Sequence, residues 1–493
     1  MSIACYFFRL LNTTLISCLL FLPWCAGASD IFVDPVGGSD SNGGSSPSDA
    51  LKTITRAFTN AASGDIVRGL PGEYSESSGE SFPLLLPEGV SLISTDGPAV
   101  TVIRDPLDRT PQYNLTILIE LNPGQDFNQS VIQGFMLDGT GASTSFPGVA
   151  IYIGSYSSGP GVSPAIRGNV VRGYSFVGSS ALWIYLESGA SLSAIVDGNE
   201  LFGNDAGIVV FLHGTPVPCL DRSVITNNVL AFNGIGIQIQ DGGGFFPSGG
   251  TAETSIVNNT VTRNSLQGLH VLIGVASTAI VLQNNIFEGN GEYGVYEEMR
   301  SDDTSFAEIA GNCFFSNQAA LFYDYVLGPL TTINEVNNLP AAASARSNIE
   351  GDPMFIGPGS EDFHIDAGSV CVDTATTAGA PTVDFEDDVR PCGPGIDIGA
   401  DEVCSGVDLL RDSTVRDILP LDPPDKSSYL PVDPVLHNPV ILIRDVQSPA
   451  TDPDSGILID TFHPLVFYRL WPPQGNNLKV TAESAVSTVR MEF

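Results

Sequence analysis

The sequence predicts an all-β solenoid in which coils of short strands stack into parallel sheets. Three observations carry this expectation. The 493-residue chain holds 52 Gly and 34 Pro, too many for a helical protein. It is 43% hydrophobic and only 15% charged, so it can bury a core and is not disordered overall. Above all, it repeats. Residues 194–210 read AIVDGNELFGNDAGIVV, 223–239 SVITNNVLAFNGIGIQI and 255–271 SIVNNTVTRNSLQGLHV. Two further copies follow, AIVLQNNIFEGNGEYGVY at 279–296 and AEIAGNCFFSNQAALFY at 307–323.

Each copy holds two short β-type runs broken by Asn or Gly, too short for helices. A first shared asparagine recurs as Asn199, Asn228, Asn259, Asn285 and Asn312, at intervals of 29, 31, 26 and 27. A second (Asn204, Asn233, Asn264, Asn290, Asn317) stands five residues after each. Weaker copies at 131–139 and 165–173 precede them, with Asn169 in the first position. Such intervals suit one coil of three short strands plus turns. A single coil cannot bury its own apolar face, so it must stack on its neighbours. Asparagine tolerates the left-handed backbone of a sharp corner, and stacked amides can bond along a ladder. Asn169, Asn199, Asn228, Asn259, Asn285 and Asn312 are therefore expected as a structural ladder, not as ligands.

These repeats resemble the right-handed parallel β-helix of the pectin-lyase-like superfamily, over roughly residues 100–345. The preceding segment carries Ile31-Phe32-Val33-Asp34-Pro35, Gly37-Gly38-Ser39-Asp40, Lys52-Thr53-Ile54, Gly64-Asp65-Ile66-Val67 and Pro71-Gly72-Glu73-Tyr74. It is similar to a conserved opening of unknown function found ahead of many bacterial secreted β-helices. The resemblance implies a right-handed parallel β-helix of three sheets, with an N-terminal cap made of a strand, a short helix near 50–62 and the first coils. Asp352-Pro353-Met354-Phe355, Arg390-Pro391 and Asp397-Ile398-Gly399-Ala400 resemble the C-terminal module of similar repeats, expected as the last irregular coils and far cap. The expected organisation is a signal peptide at 1–28, cap and first coils at 29–103, and β-helix repeats at 104–345. C-terminal coils and cap at 346–404, an Asp/Pro-rich linker at 405–455 and a small β element at 456–493 complete it.

The signal follows from Arg9, the apolar run Leu15–Trp24 and the small-x-small pattern Ala26-Gly27-Ala28. The run is short for a membrane span, so no transmembrane segment is expected after cleavage. Secretion to the extracellular space, cell surface or periplasm follows. Export permits disulfides; Cys371–Cys392 is the preferred pair and Cys404 the competitor. The net charge of −36 argues against nucleic acid and anionic membranes as partners. Removal of residues 1–28, which hold one Arg and no acid, makes it more negative still.

Aligning the repeats on Gly207, Gly236, Gly268 and Gly294 makes Ile208, Ile237, Leu269 and Val295 inward-facing. The second and fourth residues after each glycine then face outward. One outward row reads Ala150, Trp183, Val209, Gln238, His270, Tyr296 and Phe322. The other reads Tyr152, Tyr185, Phe211, Gln240, Leu272, Glu298 and Asp324. Coils about 4.8 Å apart make a track of about 30 Å, long enough for several sugar rings. Tyr152, Trp183, Tyr185, Phe211, Gln238, Gln240, His270, Tyr296 and Glu298 are the candidate contacts to a polysaccharide or cell-surface glycan: aromatic faces for sugar faces, polar groups for hydroxyls. The competing reading has this apolar stripe covered by a loop, by the 405–493 tail or by a second subunit.

Enzymatic signals are weaker. Only Lys52, Lys426 and Lys479 are lysines and none lies in the repeats, which disfavours a lysine-based lyase. The paired-Asp and Gly-His-Gly signatures of β-helix polygalacturonases are absent. Glu298 and Asp324, with His270, are candidate catalytic groups, because adjacent coils would space two carboxylates as in a retaining hydrolase. Asp384, Glu386, Asp387 and Asp388 read either as a calcium site or as a solvated loop, and they lack the EF-hand spacing. The leading functional expectation is polysaccharide recognition on an outward sheet face. A polysaccharide lyase or glycoside hydrolase acting there, and a structural or adhesive repeat protein, are the alternatives.

Overall fold

The computed structural model describes residues 28–108, 114–141, 146–156, 162–214, 217–241, 250–274, 277–299, 306–340, 342 and 344–404, with the backbone of five strands between 440 and 492. The expected signal peptide lies outside the described residues except for Ala28. Residues 1–402 and 403–493 form two compact units. In the second, Val440–Ile443, Ile457–Asp460 and Phe467–Arg469 make an antiparallel sheet, and Lys479–Glu483 pairs with Thr488–Glu492. The remainder of the expected 405–455 linker lies outside the described residues.

The first unit is a parallel β-helix of three long sheets. Sheet 1 stacks eleven strands from Asp30–Val33 to Ala345–Arg346. Sheet 2 stacks ten, from Leu84–Leu85 to Gly328–Leu330. Sheet 3 stacks ten, from Gly72–Ser75 to Ile349–Glu350. One coil visits sheets 1, 3 and 2 in turn, as in Ile195–Asp197, Glu200–Phe202 and Ala206–His213. The last strand of sheet 2, Gly328–Leu330, turns back antiparallel on Ala320–Asp324. Helices are few: α1, Ile54–Asn60, packs Ile54, Ala57 and Phe58 into the core, and α2, Ile333–Asn337, packs Val336.

Inside sheet 2, Ile151, Leu182, Ile208, Ile237, Leu269, Val295 and Phe322 stack in register and are all solvent-inaccessible. This apolar column sets the register, because a one-residue slip would turn each strand inside out. The shared glycines sit where successive coils touch. A Cβ on Gly207 would lie 2.5 Å from the carbonyl oxygen of Gly236, and one on Gly236 would lie 2.5 Å from that of Gly268. Only glycine lets the backbones approach this closely.

The asparagine ladder is present as expected and extends one step, to Asn348. The Asn228 Oδ1 accepts both the backbone N–H and the Nδ2 of Asn199 at 2.9 Å, while its own Nδ2 donates to the Val196 carbonyl and to Asn259 Oδ1. A parallel ladder runs Asn204, Asn233, Asn264, Asn290, Asn317. The backbone detail differs from expectation. The left-handed residue is the one before each ladder asparagine: Gly198, Asn227, Asn258 and Asn284 in one column, and Gly203, Phe232, Arg263, Gly289 and Ser316 in the other. The ladder asparagines themselves keep ordinary backbone and spend their amides on coil-to-coil bonds.

Residues 355–402 fold back along the outer face of sheet 3. Phe202, Val229 and Ala231 pack there with Phe363 and Ala400, flanked by Phe355 and Phe385. The left-handed asparagines reach outward to the same strip: Asn227 Nδ2 donates to the Val383 carbonyl, Asn258 to Asp397 and Gly399, and Asn284 to Thr376. Arg390, fully buried, pairs with buried Glu402 at 3.0 Å and donates to the carbonyls of Asp397, Gly399 and Ala400. Those bonds satisfy a charge that burial alone would make costly.

The expected Cys371–Cys392 disulfide is corrected. Cys371 is a free, buried thiol, whereas Cys392 and Cys404 are the disulfide-bonded cysteines. Cys371 lies instead on the inner side of the folded-back strip, buried against sheet 3.

Candidate ligand face on sheet 2

Strands of five to eight residues form the middle of sheet 2, with alternate side chains outward. Two outer rows emerge from the register. One runs Tyr152, Trp183, Val209, Gln238, His270, Tyr296 and Tyr323. The other runs Gly154, Tyr185, Phe211, Gln240, Leu272 and Glu298. All nine candidate contact residues therefore face outward on one sheet. The rows are rearranged at both ends.

Tyr152 pairs with Trp183 and not with Tyr185. The expected rows, with Ala150 beside Trp183, are two residues out in this strand, because Ile151 stacks on Leu182 in the inner column. At the other end the slip is one residue. Phe322 pairs with Val295 and faces inward, so Tyr323 takes the outer place beside Tyr296. Asp324 is consequently buried; its Oδ1 accepts the backbone N–H groups of Val326 and Leu327 and closes the turn into the last strand. Glu298 and Asp324 are thus not a carboxylate pair on one face, and the retaining-hydrolase geometry expected of them is absent.

The aromatic residues fall into two groups. Tyr185 stacks on Phe211 with ring centroids 5.8 Å apart, and Trp183 on Phe211 at 6.2 Å. Tyr152 and Tyr156 join Tyr185, whose hydroxyl is 3.0 Å from His213 Nδ1. Two coils along, His270 meets Tyr296 edge-on at 5.2 Å, and Tyr296 contacts Tyr293 and Tyr323. Gln238 and Gln240 lie between the groups. Tyr156, Tyr293 and Tyr323 were not singled out from sequence; Tyr323 is hidden by the register slip, and the other two lie at or beyond strand ends, where alternation gives no guide.

Burial governs the electrostatics of this face. It raises the hydroxyl pKa of Tyr152, with the bond to Tyr156 adding to it, and pushes Tyr185 up to about 12, with Glu187 contributing. It lowers His270, an effect that nearby Glu298 only partly offsets. The His270 Nε2 lies 3.8 Å from Glu298 Oε2, beyond hydrogen-bond reach, and neither ring nitrogen has a hydrogen-bond partner although the side chain is only 13% exposed.

The acidic loop does not gather into a cation site. Asp384 is buried and accepts the backbone N–H groups of Glu386, Asp388 and Glu402, while Glu386 bonds His364. Among the described residues, no group of three or more His, Cys, Asp or Glu side chains is placed to hold a metal ion.

Among solved structures, the chain resembles pectate lyase Pel9A at 14% identity, covering 76% of this chain and 97% of that one, with a TM-score of 0.39. It also resembles the A-module of mannuronan C-5 epimerase AlgE6 from Azotobacter vinelandii, at 16% identity, 64% and 91% coverage and a TM-score of 0.35. A lacto-N-biosidase from Eubacterium ramulus matches at 9% identity, covering 66% of each chain, with a TM-score of 0.36. No curated protein sequence matches. Residues 36–292 match the family described as protein of unknown function (DUF1565). That span is more than half of the chain, and with its stacked coils and asparagine ladders the chain belongs to the DUF1565 family.

Proposed function

We propose that this protein is an exported β-helix that recognises a polysaccharide along the outer face of sheet 2. The observation that carries the reading is His270. Its two ring nitrogens are largely removed from water without a partner, in a row between Gln238 and Tyr296. Buried polar groups in folded proteins are ordinarily satisfied, so an imidazole left this way gains bonds when its ring turns outward onto a hydroxyl-rich ligand. The neutral ring favoured by burial can donate at one nitrogen and accept at the other, matching a sugar hydroxyl that does both. Gln238, Gln240 and Glu298 add donors and acceptors on the same track. The net charge of −36 favours a neutral glycan over a polyuronate.

A structural reading has one observation in its favour: the rings of Tyr185, Phe211 and Trp183 stack on one another, so part of their flat surface is already used within the sheet. Calorimetric titration with a panel of soluble neutral and acidic polysaccharides separates the two. The glycan reading expects saturable binding that weakens at least tenfold in a His270→Ala/Tyr296→Ala double variant whose thermal midpoint is little changed. Equal binding by the variant, or none by the intact protein across the panel, would sink it. New reducing ends or unsaturated products in the same incubations would replace recognition by catalysis.

A further inference from the structure

Cys313 lies on sheet 3, at the start of Cys313–Phe315, paired with Ile286 on one side and Ile349 on the other. The neighbouring residues Phe287 and Phe314 fill the interior, so alternation turns Cys313 to the outer face, beneath the folded-back strip. Its Sγ donates to the Gly351 carbonyl at 3.3 Å. From the strip, Val370 closes over the same glycine; a Cβ on Gly351 would stand 2.8 Å from a Val370 methyl carbon. The next residue is Cys371, whose thiol interacts with that of Cys313. Both side chains are solvent-inaccessible.

We propose that Cys313 and Cys371 are a disulfide site that staples the folded-back strip to the β-helix. Two buried thiols brought together at the Gly351–Val370 contact need little movement to reach the Cα separation a disulfide accepts. The neighbouring thiol and burial both raise the Cys313 pKa, which makes that thiol a poor nucleophile once docked. The bond therefore forms during folding, before the strip seals the site. A small-molecule disulfide such as oxidised glutathione is the oxidant. One thiolate attacks its S–S bond and releases one reduced thiol. The second protein thiolate attacks the mixed disulfide, closes the Sγ–Sγ bond and releases the other. Two protein thiols are oxidised, one disulfide is reduced to two thiols, and atoms and electrons balance. Nothing in this step depends on the glycan reading.

The test is disulfide mapping by mass spectrometry on the intact chain, refolded in oxidised or in reduced glutathione and alkylated after denaturation without further reductant. After oxidation we expect the Cys313 and Cys371 peptides to be linked, with Cys219 alkylated. The oxidised protein should melt about 5 °C higher than Cys371→Ser treated identically, and that variant should leave Cys313 open to alkylation. Alkylation of both Cys313 and Cys371 after oxidative refolding would overturn the proposal. So would linkage of Cys371 to Cys392.

Discussion

Tyr296 and Tyr323 stack with ring centroids 4.7 Å apart and planes inclined by 29°. They meet because Val295 pairs with Phe322 in the inner column, and outer neighbours follow from inner ones. The last coil therefore presents Tyr323 on the candidate track and keeps Asp324 buried.

Substitution should separate the two residues at that end. Tyr323→Ala is expected to weaken polysaccharide binding roughly fivefold to tenfold, the loss of about 1 kcal/mol of ring contact. Asp324→Asn is expected to leave binding within twofold and lower stability by about 1 kcal/mol, because Asp324 serves the Val326–Leu327 turn. Titration and chemical denaturation of both variants check this.

The ladder should be costly to interrupt. Asn259 accepts the backbone and side-chain N–H groups of Asn228 and donates to the carbonyls of Ile225 and Val257. Asn259→Ala strands several buried polar groups together, each costing about 1–3 kcal/mol. A loss of about 4 kcal/mol in a urea unfolding series is expected.

A gain should come from Ser316, an exposed residue held at φ +56°. A left-handed backbone costs a non-glycine residue about 1–2 kcal/mol, and the extra freedom of glycine in the unfolded chain offsets part of its removal. Ser316→Gly is expected to stabilise by about 0.5–1 kcal/mol, measured by the same denaturation.

The strip should loosen in alkali. Burial opposes a charge on His364, but the hydrogen bond to Glu386, the charge of Asp401 and the bond to Asp362 outweigh it and lift the group to about 9. The folded state thus holds this proton more tightly than the unfolded chain. Its stabilisation is complete below the ordinary value of about 6.5 and is lost as pH rises through about 9. Denaturation midpoints at pH 6 and 9.5 should differ in the intact protein, and the difference should shrink in His364→Gln.

Much of this was legible in the sequence because a solenoid writes its period locally. The asparagine spacing marks the coil length, and Ile208, Ile237, Leu269 and Val295 mark the inward column. Register depends on which side chains stack inside: Gly148 stands two residues off the true marker position, and where Ala320 replaces the glycine, Phe322, Tyr323 and Asp324 exchange faces on a shift of one residue. The role of residues 355–402 was still less accessible. Asn258 and Asp397 are 139 positions apart, and no local pattern announces their bond.

The sequence by itself determined the coil, its period, the two asparagine columns and which sheet carries the aromatic and polar track. Repeated short-range chemistry suffices for those, since every coil meets a copy of itself. Tertiary structure alone decided the ends of the track, the burial of Asp324, the unpaired state of His270 and the meeting of Cys313 with Cys371. Each of these depends on long-range packing that happens once, where one column of side chains or one folded-back strip overrides the repeat.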